Sequence, residues 1–218
     1  MFLTRFGINT SRRGARYLLS AQQRMHAAVL ASFHTQTPGR ILWRIDSNPI
    51  KTDLFIVSPQ RPDLTHLVEQ AGWPTTATWD TADYAPFLER LATGQQWAFR
   101  LTANPVRNIN AGPNERGKVK AHVTPAQQQE WLTRRAGKFG FSIAQTGSGE
   151  PSLIVKNRNT ARFERRHAQE GRNVTIAMAT YDGLLHVTDA DALREALTEG
   201  IGRAKAYGCG LMTLAKAQ

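Results

Sequence analysis

The strongest constraint in this chain is an order. Segments with the two-residue alternation of strands and segments with the stripe of helices follow one another as β-α-β-β-α-β, and then do so again. Residues 2–8 read as a strand, 9–16 as a basic, glycine-containing loop, and 20–33 as a helix. Residues 40–46 alternate Ile41, Trp43 and Ile45 against Leu42 and Arg44, and 53–58 form a second strand beyond the turn at Ser47-Asn48-Pro49. A short helix over 63–71, with Asp63 able to cap it, and a closing strand at 75–79 complete the unit. The second unit opens with a strand over 96–107 and a polar loop over 109–120. Thr124-Pro125 then starts a helix, since threonine caps and proline suits the first turn. Strands follow at 141–146, 152–156 and 174–187, then a helix from Thr188-Asp189 to Gly200 and a last strand at 211–214. This is the ferredoxin-like, RNA-recognition-motif-like arrangement. The expectation is an α+β chain of two such units, 1–92 and 93–218, with a cleft between their sheets and a basic hairpin in the second.

Charge narrows the partners. The 218 residues carry 28 Lys and Arg against 17 Asp and Glu, a net charge of +11. Residues 1–92 hold 10 basic and 7 acidic side chains, and 93–218 hold 18 and 10, so the excess sits in the second unit. Such a balance suits a polyanion, either nucleic acid or an anionic membrane surface. No apolar run approaches the roughly 18–20 residues that span a bilayer. No helix pairs a strong apolar face with a lysine-rich one, so a membrane partner is not expected. The first six residues lack a basic stretch followed by an apolar one, and Cys209 is the one cysteine. No signal peptide, no disulfide and a cytoplasmic setting are therefore expected.

Three features bear on chemistry. On the first helix Leu18, Ala21, Met25, Ala28, Val29 and Ser32 form the core stripe. His26 falls about 100° from its centre, at the edge of the core face. An imidazole there titrates near neutrality and can move a proton, although a boundary histidine without chemistry fits the same periodicity. The run from Lys156 to His167 carries Lys156, Arg158, Arg162, Arg165 and Arg166 against Glu164, interleaved with Asn and Thr, which pair with phosphates and base edges. Near the end, Gly200-Ile201-Gly202-Arg203-Ala204-Lys205-Ala206-Tyr207-Gly208-Cys209-Gly210 frames Arg203 and Lys205 with glycines. Those glycines serve either an anion-binding nest or a tight turn after a helix. No His, Asp or Glu grouping has metal-ligand spacing, so no metal and no cofactor are expected.

Gln23-Arg24-Met25-His26, the segment Phe99-Arg100-Leu101-Thr102-Ala103-Asn104-Pro105-Val106, and the glycine-rich segment from Gly200 to Leu211 together resemble the CasE (Cse-type) CRISPR endoribonucleases. The resemblance covers essentially the whole chain. It implies two ferredoxin-like domains and cleavage of the CRISPR precursor transcript within its repeat hairpins. It also implies retention on the product hairpin as a subunit of the Cascade complex. The family's catalytic histidine matches His26. Where the family often has a tyrosine one turn earlier, this chain has Gln23. The implied reaction is attack of a ribose 2′-oxygen on the adjacent phosphorus without a metal, leaving a 2′,3′-cyclic phosphate and a 5′-hydroxyl. His26 serves as general base or general acid, with Gln23 and Arg24 in support. Arg12 and Arg13 join the basic run, Arg203 and Lys205 as RNA-binding candidates. Two other readings stay open. One is a hairpin-binding module of the same fold that does not cut; the other is a DNA-binding protein, for which no helix-turn-helix or zinc-finger spacing is seen.

Overall fold

The computed structural model describes residues 1–34, 39–74, 76–109, 118–165 and 172–217, the side chains of 118, 163–165 and 172–174 excepted. The first half runs β1 (Phe2–Ile8), α1 (Arg13–Leu19), α2 (Gln22–Leu30), β2 (Leu42–Ser47), β3 (Thr52–Ser58), α3 (Thr65–Ala71), β4 (Trp79–Asp83) and α4 (Ala85–Glu89). The second runs β5 (Gln96–Ala103), β6 (Val106–Ile109), β7 (Lys118–Ala121), α5 (Pro125–Ala136), β8 (Phe141–Ile143), β9 (Leu153–Arg165), β10 (Arg172–Val187), α6 (Ala190–Glu199) and β11 (Met212–Lys216). The first sheet has the antiparallel order β2-β3-β1-β4 and the second β11-β5-β10-β8, with β9 also on β10. Each is the ferredoxin-like order. In the second sheet β8 and β9 share the place of one edge strand and extend it into a long hairpin.

Local chemistry explains most boundaries. Thr124 and Gln127 form a reciprocal capping box on α5 with proline in its first turn. Asp189 accepts from the amides of Asp191 and Ala192 at the start of α6. Several expectations are corrected. The basic loop at 9–16 and the helix at 20–33 are instead two helices, because Ala21 is extended (φ −152°, ψ 131°) and breaks the path. The closing strand lies at Trp79–Asp83 rather than 75–79, since pairing with β1 aligns Phe6 with Trp79 and Phe2 with Asp83. The strand expected over 96–107 stops at Ala103, before Pro105. The polar loop after it contains the paired strands β6 and β7. Helix α4 was not expected from the pattern.

Two cores result. One lies between the first sheet and α1–α3, built on Phe6, Met25, Val29, Trp43, Leu54 and Ile56. The larger one lies under the second sheet with α5 and α6, and it takes in Leu42 and Val57 from the first sheet. Strand β2 is therefore buried on both faces. Trp43 faces the first core and Leu42 the second, each contributing about 1.5–3 kcal/mol of apolar burial. Arg44 is 1 % exposed. Its guanidinium makes five hydrogen bonds, one for each N–H. Two go to the Asp46 carboxylate (2.7 and 2.8 Å), one each to the main-chain carbonyls of Arg100 (2.8 Å) and Leu211 (3.0 Å), and one to Thr213 Oγ1 (2.8 Å). A buried charge satisfied this fully clamps the first sheet to the second.

Candidate functional site

Helix α2 anchors through Met25, Ala28 and Val29, all buried, and this sets His26 half-buried at the rim. Nδ1 of His26 is buried with no hydrogen-bond partner, while the residue as a whole is partly exposed. Desolvation lowers its pKa, so the ring is neutral at neutral pH and ready to accept a proton. Gln23 stands one turn ahead. Arg24 does not join them: about 200° from His26 on the helix, its guanidinium lies 4.0 Å over the Tyr17 ring and donates to Ser20 Oγ at 2.6 Å. Arg12 is likewise committed, donating from Nη1 to the carbonyls of Val68 and Gly72 at the end of α3, 3.1 Å each. Arg13 begins α1 and is exposed.

The glycine-rich loop reaches α2 from the second half of the chain. Its one-turn 3-10 helix, Lys205–Tyr207, packs against α2 and β2. Gly208, at φ +80°, lies so close to β2 that a Cβ there would sit 2.8 Å from the Trp43 ring. A Cβ on Gly200, at φ +81°, would sit 2.7 Å from Leu42. The tight turn and the open amides are both present. Ile201 donates to Gly210 (2.9 Å) and Gly210 to Thr102 (2.7 Å), while the amides of Gly202, Arg203 and Ala204 make no backbone hydrogen bond among the described residues. Arg203 is exposed. Burial, and then the nearby charge of Arg40, lowers the pKa of Lys205.

The basic run divides between the two faces of β9. Arg158 and Arg162 are exposed on one face, with Arg158 Nη1 bonded to the Val123 carbonyl at 2.9 Å. Asn157 and Asn159, paired with Thr180 and Met178, occupy the other. Lys156 falls at a bulge and pairs with Asp182 at 3.3 Å. That carboxylate also takes two hydrogen bonds from Arg100, 2.6 Å each. Burial alone raises the pKa of Asp182, but the bonds from Arg100 and Lys156 outweigh it and hold the group below the usual carboxylate range. Lys156 is thus partly neutralised. Arg166 and the side chain of Arg165 lie outside the described residues.

Gln22, Asn157, Asn159 and Tyr207 together line a polar pocket that was not expected from the sequence. The spacing Asn-x-Asn in a strand was its one available signal. Among the described residues, no three His, Cys, Asp or Glu side chains are grouped to hold a metal ion, and no helix is long and apolar enough to cross a membrane. Cys209 is buried, its thiol pushed up to about 12, an inert apolar residue.

Two tandem ferredoxin-like sheets, a histidine on α2 and a glycine-rich loop seated against that helix define a class of protein. The family described as CRISPR associated protein matches residues 1–216, and this chain belongs to it. Within the family it is of the Cse3/CasE type. The chain is 28 % identical over 221 residues to CRISPR-associated endoribonuclease Cse3 of Thermus thermophilus, covering 99 % of this chain and all of that one. It is 27 % identical to the CRISPR system Cascade subunit CasE of Escherichia coli, over 79 % of this chain and 94 % of that one. A solved structure of Cse3 bound to a 19-nucleotide RNA superposes with a TM-score of 0.82 at 26 % identity, covering 99 % of this chain and 100 % of the other.

Proposed function

We propose that this protein is an endoribonuclease that cuts CRISPR repeat hairpins in the precursor transcript by metal-independent attack of a ribose 2′-hydroxyl. It then remains on the product hairpin among the other Cascade subunits. The observation that carries the reading is His26: a half-buried imidazole whose Nδ1 is buried and whose pKa is lowered by desolvation, on a helix that packs against a loop with open amides and basic side chains. The likeness to an RNA-bound endoribonuclease over the full chain supports the same substrate class. In this reading residues 1–92 form the unit that carries the reactive helix, and residues 93–218 the unit that grips the RNA.

In this reading the reaction is an internal transfer at phosphorus. His26 takes the proton of the 2′-hydroxyl, the oxygen forms a bond to the adjacent phosphorus as the P–O5′ bond breaks, and the departing 5′-oxygen takes a proton from water. The products are a 2′,3′-cyclic phosphate and a 5′-hydroxyl. One such proton transfer supplies about 10²–10⁴-fold, and in-line positioning of the attacking oxygen contributes further. Arg203, Lys205 and the amides of residues 202–204 stabilise phosphate charge. Arg158 and Arg162 hold the backbone of the stem, where A-form geometry favours phosphate contacts over reading of the deep major groove. A non-cutting hairpin binder is the second reading, favoured by Gln23, whose amide cannot transfer a proton. The deciding experiment incubates a 5′-labelled repeat hairpin with the protein in excess chelator, beside a substrate with 2′-deoxyribose at the cut. A single cut lost in the deoxy substrate supports the nuclease. Tight binding without a cut supports the binder.

A further inference from the structure

A cavity of about 110 Å³ lies in the cleft between the two sheets. Among the described residues, no acidic or basic side chain lines it. Its polar groups include the amides of Gln22, Asn157 and Asn159, the phenol of Tyr207, and the hydroxyls of Thr102 and Thr180, which bond each other at 2.9 Å. Trp43 and Tyr207 supply aromatic wall. The indole N–H of Trp43 is buried without an acceptor. A phosphate or a metal ion finds no countercharge here. A purely apolar ligand leaves three amides unmatched.

The complementary ligand is planar, neutral, and carries donors and acceptors along one edge. One ordered water needs roughly 10–15 Å³, so the cavity has room for the heavy atoms of a single ring system. Asparagine and glutamine read such an edge through paired hydrogen bonds, and aromatic side chains stack on such a face. The cavity also lies close to the reactive histidine. Gln22 is the first residue of α2 and precedes His26 by four residues, about 6 Å along the helix axis. That is within the reach of one nucleotide.

We infer that this cavity takes one unpaired nucleobase of the bound RNA, from a nucleotide next to the cut, and that Gln22, Asn157 and Asn159 read its edge. The inference rests on the function proposed above. Base capture draws the nucleotide out of line with its neighbours and presents its ribose and phosphate to His26. The amides therefore set which base is accepted at that position. Arg158 and Arg162, on the opposite face of β9, contribute affinity without that choice.

The test is a coupling measurement. A repeat hairpin with its single-stranded flanks is scanned with one abasic nucleotide at a time. Affinity is measured for the wild-type chain, for the Asn157→Ala/Asn159→Ala chain and for Gln22→Ala. These three residues are not part of the buried core, and a melting curve checks each variant. The expected result is one unpaired position where loss of the base weakens wild-type binding about tenfold, and where the same loss costs less than twofold in the asparagine variant. Gln22→Ala reduces the penalty in the same direction. Equal penalties in wild type and variants overturn the pocket, as does a scan with no sensitive unpaired position. If the intact hairpin is bound and cut while coupling is absent, the pocket alone falls. If the wild-type chain binds no hairpin, the parent reading falls with it.

Discussion

Arg44 in the first sheet donates to the carbonyl of Leu211, 167 residues further along, at 3.0 Å. The same guanidinium holds the Arg100 carbonyl and Thr213, so one buried cation closes the seam between the two sheets. The glycine-rich loop leaves α6 and returns to β11 beside that seam. There its one-turn helix packs against α2 and β2.

Truncation at Arg44 should therefore destabilise strongly. Arg44→Ala takes two hydrogen bonds from the Asp46 carboxylate, which among the described residues keeps only Arg100 at 3.5 Å, and removes the donor from two main-chain carbonyls in a closed interface, so a cost of about 2–4 kcal/mol is expected. Arg44→Lys recovers only part, because an ammonium cannot reproduce the planar fork. Urea unfolding monitored by tryptophan fluorescence checks this. A loss below about 1 kcal/mol for Arg44→Ala would deny the clamp.

His26→Ala should lower the single-turnover cleavage rate by at least about 10²-fold while hairpin affinity changes less than about threefold. Desolvation depresses the pKa of His26, so the neutral base persists at pH values below 6.5. The rate should hold constant through neutrality and fall only as pH drops through the depressed value. A rate that instead falls as pH rises through that range assigns His26 the role of general acid.

Arg158→Ala, Arg162→Ala and Arg203→Ala should each weaken hairpin binding and flatten its dependence on salt. Withdrawing one cation from a phosphate reduces the slope of log K against log salt by about 0.7–0.9. Arg12→Ala should leave that slope unchanged and lower the melting temperature instead, because its guanidinium holds the end of α3. Binding titrations over a series of salt concentrations separate the two outcomes.

Gly208→Ala combines a left-handed backbone with a Cβ 2.8 Å from the Trp43 ring. The loop has to lift from β2, at a cost of about 1–3 kcal/mol. Cleavage should fall more than stability explains, since the loop also supports α2. Calorimetry beside the cleavage assay measures both; a fully active variant would detach the loop from the reaction.

The order of strands and helices was legible in the sequence because alternation and helical stripes are local signals, and so were the caps at Thr124 and Asp189. The stripe through Met25, Ala28 and Val29 placed His26 at the edge of a core, and there it stands. Other features depend on partners remote in the chain. The alternation in β2 reads as one buried face. That Leu42 and Arg44 are buried too follows only from the second sheet lying against them. Arg12 and Arg24 are indistinguishable from free cations until α3 and Tyr17 are seen to occupy them. The basic run was one feature in the chain and became two when pairing with β10 sent its arginines and asparagines to opposite faces. Sequence by itself determined most of the segments and which residues have the chemical capacity for proton transfer or phosphate binding, since those properties belong to single residues and their near neighbours. Tertiary structure decided which of these groups meet, because burial, cross-strand register and the approach of Gly208 to Trp43 join residues far apart in the chain.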